Sequence, residues 1–212
     1  MSQNSPPSPG DPPELGLRQR KKLLTRQTIA AAAFALAVER GVDGVTIDDI
    51  AERAFVSPRT VSNYFRTKEA AIVAADSGVP ETLLSGLLER PAGESPLLAL
   101  SAVLSAALRE LPPRVLETIR AKEQLVERFP ALLPHRAAQF DALEDSIRYL
   151  VAARLGMDAE TETYPRLVAG AAAAAMKTAI RVWTQQGGDA EALATVLEKS
   201  LREFDAGLPQ ED

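Results

Sequence analysis

Apolar residues recur with a helical period along most of the chain. In the first clear stripe, the spacing i, i+3, i+4, i+7, i+8 predicts one face of a helix that ends at Gly41. Its members are Ile29, Ala32, Ala33, Leu36 and Ala37. A shorter stripe follows at Ile47, Ile50, Ala51 and Ala54.

Further amphipathic stretches follow at 96–111, 113–128, 134–155, 163–186 and 189–205, in a region punctuated by prolines. No segment alternates with a period of two, so the sequence predicts an all-α protein.

Three short polar signals mark where the helices after Gly41 begin. Thr46 precedes the second apolar stripe, and Asp49 stands three residues later, as in a capping box. Ser57 is followed by Pro58, whose missing N–H costs nothing at a first helical position. Thr67 is in the same position before a fourth helix. These caps predict three short helices between residues 46 and 75.

The second and third of these helices, with the tight turn between them, describe a helix-turn-helix. This motif presents one helix to the major groove of DNA. The third helix, about residues 58–65, turns Val61 and Phe65 inward and polar side chains outward. Those outward groups are Arg59, Thr60, Ser62, Asn63 and Tyr64. Arginine can pair with guanine and asparagine with adenine, while hydroxyl groups suit phosphate oxygens. The alternative is an ordinary solvated helix surface.

The charge is distributed unevenly. The net charge is −5, but residues 1–68 hold ten Lys and Arg against seven Asp and Glu, which is +3. Residues 69–212 hold fourteen against twenty-two, which is −8. Between residues 16 and 26 the basic side chains stand without any acid. This asymmetry indicates an anionic partner at the N-terminal end only, unless the run is a solvated tail.

Composition removes several classes of function. The chain has no cysteine and one histidine, His135, which excludes disulfides, thiolate nucleophiles, cysteine-based zinc sites and multi-histidine metal sites. We expect no cofactor, no metal and no enzymatic activity, and we interpret His135 as a surface residue at a helix start. No apolar run approaches the ~20 residues that span a bilayer, and no signal peptide is evident. We therefore expect a cytoplasmic protein without a membrane partner.

Residues 25–72 resemble the DNA-binding domain of the TetR family of transcriptional regulators. The landmarks that carry this resemblance are Ile29, Ala32-Ala33, Leu36, Gly41, Thr46, Ile50-Ala51, Val56-Ser57, Thr60-Val61, Tyr64-Phe65 and Lys68-Glu69. The resemblance implies a disordered, Pro-rich and basic arm at 1–20, a helix-turn-helix domain at 21–76 and a helical ligand-binding and dimerisation domain at 77–212.

The resemblance also implies roles for single residues. The residues expected at base edges, with the proline that opens their helix, are Pro58, Arg59, Ser62 and Asn63. Those expected on phosphates are Thr46, Thr60, Tyr64 and Lys68. Those expected in an arm that enters the minor groove or follows phosphates are Arg18, Arg20, Lys21 and Lys22.

One position departs from the family pattern. Phe55 stands where family members usually carry a glycine in the turn. A left-handed backbone there would strain a phenylalanine. Either the turn is built differently, or Phe55 packs against something that compensates.

The acidic remainder resembles the divergent half of the family. The segments RFPALLPHR and AAAAAMKTAIRVWTQQGGD are similar to an actinobacterial branch that includes mycofactocin-type regulators, some of which respond to acyl-CoA-like ligands. In the last two helices, small residues on one face and a row of leucines suggest a four-helix dimer seam. The seam candidates are Leu167, Gly170, Ala171, Ala174, Ala175, Thr178, Val182, Leu193, Val196, Leu197 and Leu201. The alternative is the core of a monomer.

Side chains that could line an effector pocket are Phe140, Tyr149, Met176 and Trp183, with Arg120 and Arg148 for an anionic head. Each could equally be plain core or surface.

The leading hypothesis is a ligand-responsive repressor that binds a palindromic operator as a homodimer and is released by a small molecule, acyl-CoA-like or otherwise apolar. The alternatives are a ligand-independent DNA-binding regulator, an activator, an architectural DNA binder, and an enzyme in the helical body.

Overall fold

The computed structural model describes residues 16–75 and 86–208. Within these ranges the chain forms helices and connecting turns without a strand, which confirms the all-α prediction. The helices with both ends in these ranges are α1 (Leu17–Arg40), α2 (Ile47–Arg53), α3 (Pro58–Tyr64), α4 (Lys68–Val73), α5 (Pro96–Arg109), α6 (Pro113–Arg128), α7 (Leu133–Leu155), α8 (Thr163–Gln186) and α9 (Ala190–Asp205). In the described ranges no helix is both long and apolar enough to cross a bilayer.

The first helix is longer than its apolar stripe predicts. It begins at Leu17 rather than near Thr25, so residues 17–20 are helical and not part of a disordered arm; residues 1–15 lie outside the described ranges. Residues 17–24 hold mainly Leu, Arg, Lys and Gln, which are good helix formers. They form no stripe because this part of α1 is exposed on all sides, so hydrophobic periodicity does not reveal it.

The three predicted caps are confirmed. Thr46 accepts from the Asp49 backbone N–H in a complete capping box. Ser57 accepts from Thr60, and Thr67 accepts from Ala70, each at 3.1 Å. These local bonds begin each helix at a defined residue and therefore set the angles between α1, α2, α3 and α4.

The core of these four helices is completed by residues from far along the chain. Leu125 and Val126 of α6, and Leu132 of the short 3₁₀ turn Pro130–Leu132, belong to the same buried cluster as Ile29, Leu36 and Val61. Phe129 packs on its edge, 3.2 Å from where a side chain on Gly41 would begin. The boundary at residue 76 stays a prediction, but the helix-turn-helix core extends beyond it.

Polar contacts connect α4 and the residues beside it to α6 and α7, in the helical body that α5 to α9 form. The buried Lys122 ammonium donates to the Ala75 carbonyl, and Gln139 Nε2 donates to the Val73 carbonyl at 2.8 Å. His135, expected at the surface, is half-buried, with Nε2 3.4 Å from Thr67 Oγ1. A displacement of α6 or α7 would therefore shift the ends of α4 that these contacts hold.

The expected dimer seam is partly wrong. Ala175 of α8 and Leu193, Leu197 and Leu201 of α9 are fully buried within the chain's own core. They pack there because α9 lies between α5 and α8. Leu167, by contrast, is 65% exposed. The remaining exposed candidates on α8 are thus separated from the leucines that were expected to join them.

Candidate nucleic-acid interface

The outward face of α3 carries three polar side chains that the fold leaves unused. Arg59, Ser62 and Asn63 are exposed, and within the described residues none of them makes a side-chain hydrogen bond. They share a face because their spacing of three and four residues matches the helical repeat. Val61 on the opposite face is fully buried. The core therefore holds α3 rigidly and leaves its polar face open to solvent.

The other predicted residues of α3 are partly used by the fold. Thr60 Oγ1 lies 2.8 Å from Ser57 Oγ and is half-buried, so it supports the cap of α3. Pro58 is exposed at the first helical position. Tyr64, at the last helical position, is half-buried beside α1. These residues mark the two ends of the exposed face.

The side chain of Thr46 is already hydrogen-bonded as the N-cap of α2. Its hydroxyl donates to Asp49 Oδ2 at 2.5 Å, and its backbone N–H donates to the same oxygen at 2.9 Å. These two bonds, together with the nearby Arg40 guanidinium, hold the pKa of the Asp49 carboxyl below its usual value. A phosphate at Thr46 would have to replace Asp49 as the acceptor of the hydroxyl proton.

The Lys68 side chain bonds to the loop between α1 and α2. Its ammonium donates to the carbonyls of Val42 and Val45, at 2.9 Å each. These bonds fix the connection between α1 and α2 and occupy two of the three N–H donors.

Arg66 is a further candidate for a DNA contact, and helical periodicity does not predict it. It is exposed beside the start of α4 and, within the described residues, has no side-chain hydrogen bond. Because it lies between two helices, it belongs to no helix face.

The basic residues before Thr25 divide into two sets. Arg18, Lys21 and Lys22 line a surface groove together with Gln19, Thr25 and Tyr64. Arg20, which lies on the same turns of α1, does not line this groove. The structure thus brings three of the four predicted arm residues next to the end of α3.

Phe55 lies in the turn between α2 and α3. Its φ is +53°, in the left-handed region, and its side chain is 95% exposed. Neither sequence-based alternative holds, because the turn keeps the conformation that suits glycine and the ring is left exposed by the described part of the chain. The Val56 N–H donates to the Ala51 carbonyl at 3.0 Å, which closes the turn. The neighbouring bonds therefore impose a conformation that Phe55 itself disfavours.

We expect Phe55→Gly to stabilise the protein by about 0.5–1 kcal/mol, because glycine adopts positive φ without a Cβ penalty. The gain is limited by the greater backbone freedom of glycine in the unfolded chain. Urea unfolding measures the difference. Phe55→Ala is the matched control, since it removes the exposed ring and keeps the strain. A glycine variant no more stable than the alanine variant would contradict the prediction.

Comparison with known proteins identifies this architecture. Residues 29–75 match the family described as "Bacterial regulatory proteins, tetR family", and residues 94–209 match the "MftR C-terminal domain". The regulator TcmR of Streptomyces glaucescens is 32% identical over 204 residues, covering 93% of this chain and 90% of that protein. The chain belongs to the TetR family.

Two further relatives agree. This TetR-family protein is 31% identical over 170 residues to the regulator PksA of Bacillus subtilis, covering 74% of this chain and 81% of that protein. The crystal structure of Thermus thermophilus FadR, a TetR-family repressor in complex with lauroyl-CoA, is 28% identical with a TM-score of 0.50, covering 88% of this chain and 96% of that chain. The C-terminal match supports the predicted mycofactocin-regulator-like branch. The family is one of DNA-binding transcriptional regulators, which are generally not enzymes.

Three of the predicted effector residues of this TetR-family protein meet in one buried cluster, where Phe140 packs against the core that contains Met176 and Trp183. Arg148 and Tyr149 instead bond to the turn between α7 and α8. Trp183 is fully buried; the Arg120 guanidinium stacks 4.0 Å from its ring and donates to the Gly188 carbonyl. Met176 is 5% exposed in the same core. Phe140 lies on α7 below the Arg136 guanidinium, 4.4 Å away. Trp183 and Arg120 thus form a structural pair near the start of α9.

Tyr149 and Arg148 organise the turn between α7 and α8. Tyr149 is 53% exposed, and its hydroxyl donates to Glu160 at 2.5 Å. The nearly buried Arg148 donates to Asp145 at 2.9 Å, to Glu160 at 3.1 Å and to the Ala159 carbonyl at 2.7 Å. The hydrogen bonds to Asp145 and Glu160 raise the pKa of the guanidinium above its usual value. Arg148 is therefore held in place by Asp145, Glu160 and Ala159, and its contact with an anionic ligand stays a prediction.

Proposed function

We propose that this protein is a ligand-responsive repressor that binds a palindromic operator as a homodimer in the cytoplasm. The observation that carries the proposal is the rigid α3, whose exposed Arg59, Ser62 and Asn63 are left unpaired within the described residues while its other face is locked into the core. Such a helix can enter a major groove without refolding. The larger helical region that follows, α5 to α9, is where we propose that a regulatory ligand binds.

The surface of α8 supports a second copy of the chain as the dimer partner. Leu167, Ala171, Ala174 and Thr178 recur at i, i+4, i+7 and i+11, and all four are at least partly exposed. Small side chains allow helices to approach closely. Since α7 packs against α8, we propose that α7 and α8, rather than α8 and α9, form the seam. A two-fold axis there would present two α3 helices to one operator, with half-sites about 34–36 Å apart.

Release by an effector would act through the polar contacts between α4 and the body. Because Lys122 and Gln139 hold the carbonyls of Ala75 and Val73, an effector that favours another position of α6 or α7 would move α4 and change the spacing of the two α3 helices. Affinity for the operator then falls by a shift of population. We propose an acyl-CoA-like or other apolar effector, since a relative of 28% identity binds lauroyl-CoA.

The test is fluorescence anisotropy at fixed salt, with DNA from upstream of the protein's own gene against scrambled DNA. We expect a preference above ~1,000-fold, with two protomers per duplex, or four as paired dimers. Lauroyl-CoA is the first probe for release. Selective binding that no probe releases would favour a ligand-independent regulator, whereas binding without preference on any genomic fragment would overturn the proposal of a sequence-specific repressor.

A further inference from the structure

We propose that the Phe55 ring contacts the methyl group of a thymine in the major groove, and that it adds one position to the operator sequence that the protein reads. This inference rests on the proposed sequence-specific binding and concerns a residue outside α3. The backbone at Phe55 has the positive φ that suits glycine. A glycine there would be free of strain, but it would have no side chain to make this contact. Residues held in such conformations are often found at functional sites.

The turn between α2 and α3 directs the Phe55 ring away from the core. Ala54 before it is buried, and Val56 after it packs against the core of the first four helices. The Phe55 N–H donates to the Glu52 carbonyl at 3.2 Å, and the Val56 N–H donates to the Ala51 carbonyl at 3.0 Å. The backbone is therefore fixed on both sides of the ring. At 95%, the exposed fraction of Phe55 is larger than that of any other large apolar side chain in the described ranges.

The place of the ring in the chain puts it beside the surface that α3 presents. In a helix-turn-helix, the N-terminal residues of the helix in the major groove contact base edges. Phe55 lies three positions before Pro58, the first residue of α3, and Ser57, Pro58 and Arg59 are all exposed. A chain spans at most ~3.6 Å per residue, so the Cα atoms of Phe55 and Arg59 are no more than about 14 Å apart. At about 3.4 Å per base pair, the ring lies within about four base pairs of the pair that Arg59 contacts.

The chemistry of the ring selects a methyl group as its partner. A phenyl ring has no charge and no hydrogen-bonding group, so it neither neutralises a phosphate nor pairs with the polar edge of a base. The thymine C5-methyl is the apolar group that base pairs present in the major groove, and phenylalanine is among the side chains that contact it. Arg53, the nearest cation before the ring in the sequence, is paired with Glu39 at 2.7 Å. The turn therefore does not owe its contact with DNA to that charge.

A partner protein fits this ring less well than DNA does. The exposed neighbours of Phe55 between residues 52 and 57 are polar, namely Glu52, Arg53 and Ser57. A specific protein interface buries about 1,200–2,000 Å² in total, whereas one aromatic side chain supplies about 150–250 Å². One ring among polar neighbours is enough to cover a methyl group, and it is too little for a protein interface.

The test removes the methyl group and the ring in turn. Replacing thymine by uracil deletes only the C5-methyl, and it is done at one position at a time across a half-site of the operator. We expect the wild-type protein to bind about fourfold more weakly at one such position, as the loss of one buried methyl group implies. Phe55→Ala should bind the thymine and uracil operators equally. On the thymine operator it should bind on the order of tenfold more weakly than the wild type, with little change on scrambled DNA.

Two further variants separate binding from folding. Phe55→Gly relieves the backbone strain, so weaker operator binding by this variant, if it is as stable as the wild type or more so in urea, comes from the missing ring. Leu208→Gly is the matched control. Leu208 has the same φ of +53° and is 59% exposed, but it lies after the end of α9. We expect Leu208→Gly to bind the operator as the wild type does.

Three results would overturn the proposal. The first is wild-type affinity of Phe55→Ala for the operator, or an equal response of both proteins to uracil. The second is an equal loss on operator and scrambled DNA, which would assign the ring to the DNA backbone. The third is loss of four-protomer complexes alone, which would assign it to a contact between copies of the chain. The wild-type ratio of operator to scrambled binding reports separately on the proposed repressor function, so the two failures are distinguishable.

Discussion

Arg59→Ala is expected to weaken operator binding by about 1–3 kcal/mol, roughly 5- to 150-fold, and to relax the preference for one base pair in each half-site. Arg59 is exposed and makes no side-chain hydrogen bond within the described residues, so its removal takes nothing from the fold. An arginine that pairs with a guanine edge contributes affinity for that base alone. The loss should therefore be large on the operator and small on scrambled DNA.

The measurement is anisotropy at fixed salt with the operator and with operators changed at one position. Arg114→Ala is the matched control, since Arg114 is exposed in the first turn of α6 and lacks a side-chain partner in the described part of the chain. It removes the same charge at a site outside the helix-turn-helix. A loss that is equal on operator and scrambled DNA would assign Arg59 to a phosphate instead of a base.

Leu132→Ala is expected to destabilise the protein by about 2–5 kcal/mol, as the loss of a fully buried leucine does in other cores. Leu132 is 0% exposed, and it packs in the cluster that supports α3. We therefore expect operator binding to fail at lower urea concentrations than in the wild type. The result would show that the helix-turn-helix depends on a residue 68 positions after Tyr64 in the sequence.

The next residue is the control for this substitution. Leu133 is 54% exposed, and Leu133→Ala should change the free energy of unfolding by no more than about 0.5 kcal/mol. Urea unfolding at one protein concentration measures both variants, because the stability of a dimer depends on concentration. If Leu132→Ala matched Leu133→Ala, the helical body would not complete the DNA-binding core.

Local signals predicted the helix-turn-helix well. The caps at Thr46, Ser57 and Thr67 each depend on a bond to a residue three positions later, so their spacing is visible in the sequence. The inward positions Val61 and Phe65 follow from helical periodicity, and both are buried. The exposed face of α3 then follows, because the opposite face is occupied.

Other features could not be predicted because they depend on contacts between distant segments. The ammonium group of Lys68 is of the kind that binds phosphate. In the structure it instead donates to the carbonyls of residues more than twenty positions away in the sequence. The leucines of α9 have the periodicity of a seam, but the same periodicity describes an inner core face. Periodicity shows that a face is covered and does not show whether the cover comes from the same chain or from another.

By itself, the sequence determined the all-α class, the position of α3 and the residues on its outer face, because these depend on interactions within one or two turns of helix. The tertiary structure alone decided that Leu132 completes the DNA-binding core, that Arg148 is engaged in a turn, and that Arg18, Lys21 and Lys22 lie beside Tyr64. These facts depend on which surfaces meet when helices pack. Burial of apolar area drives that packing, and it favours whichever arrangement fills the core.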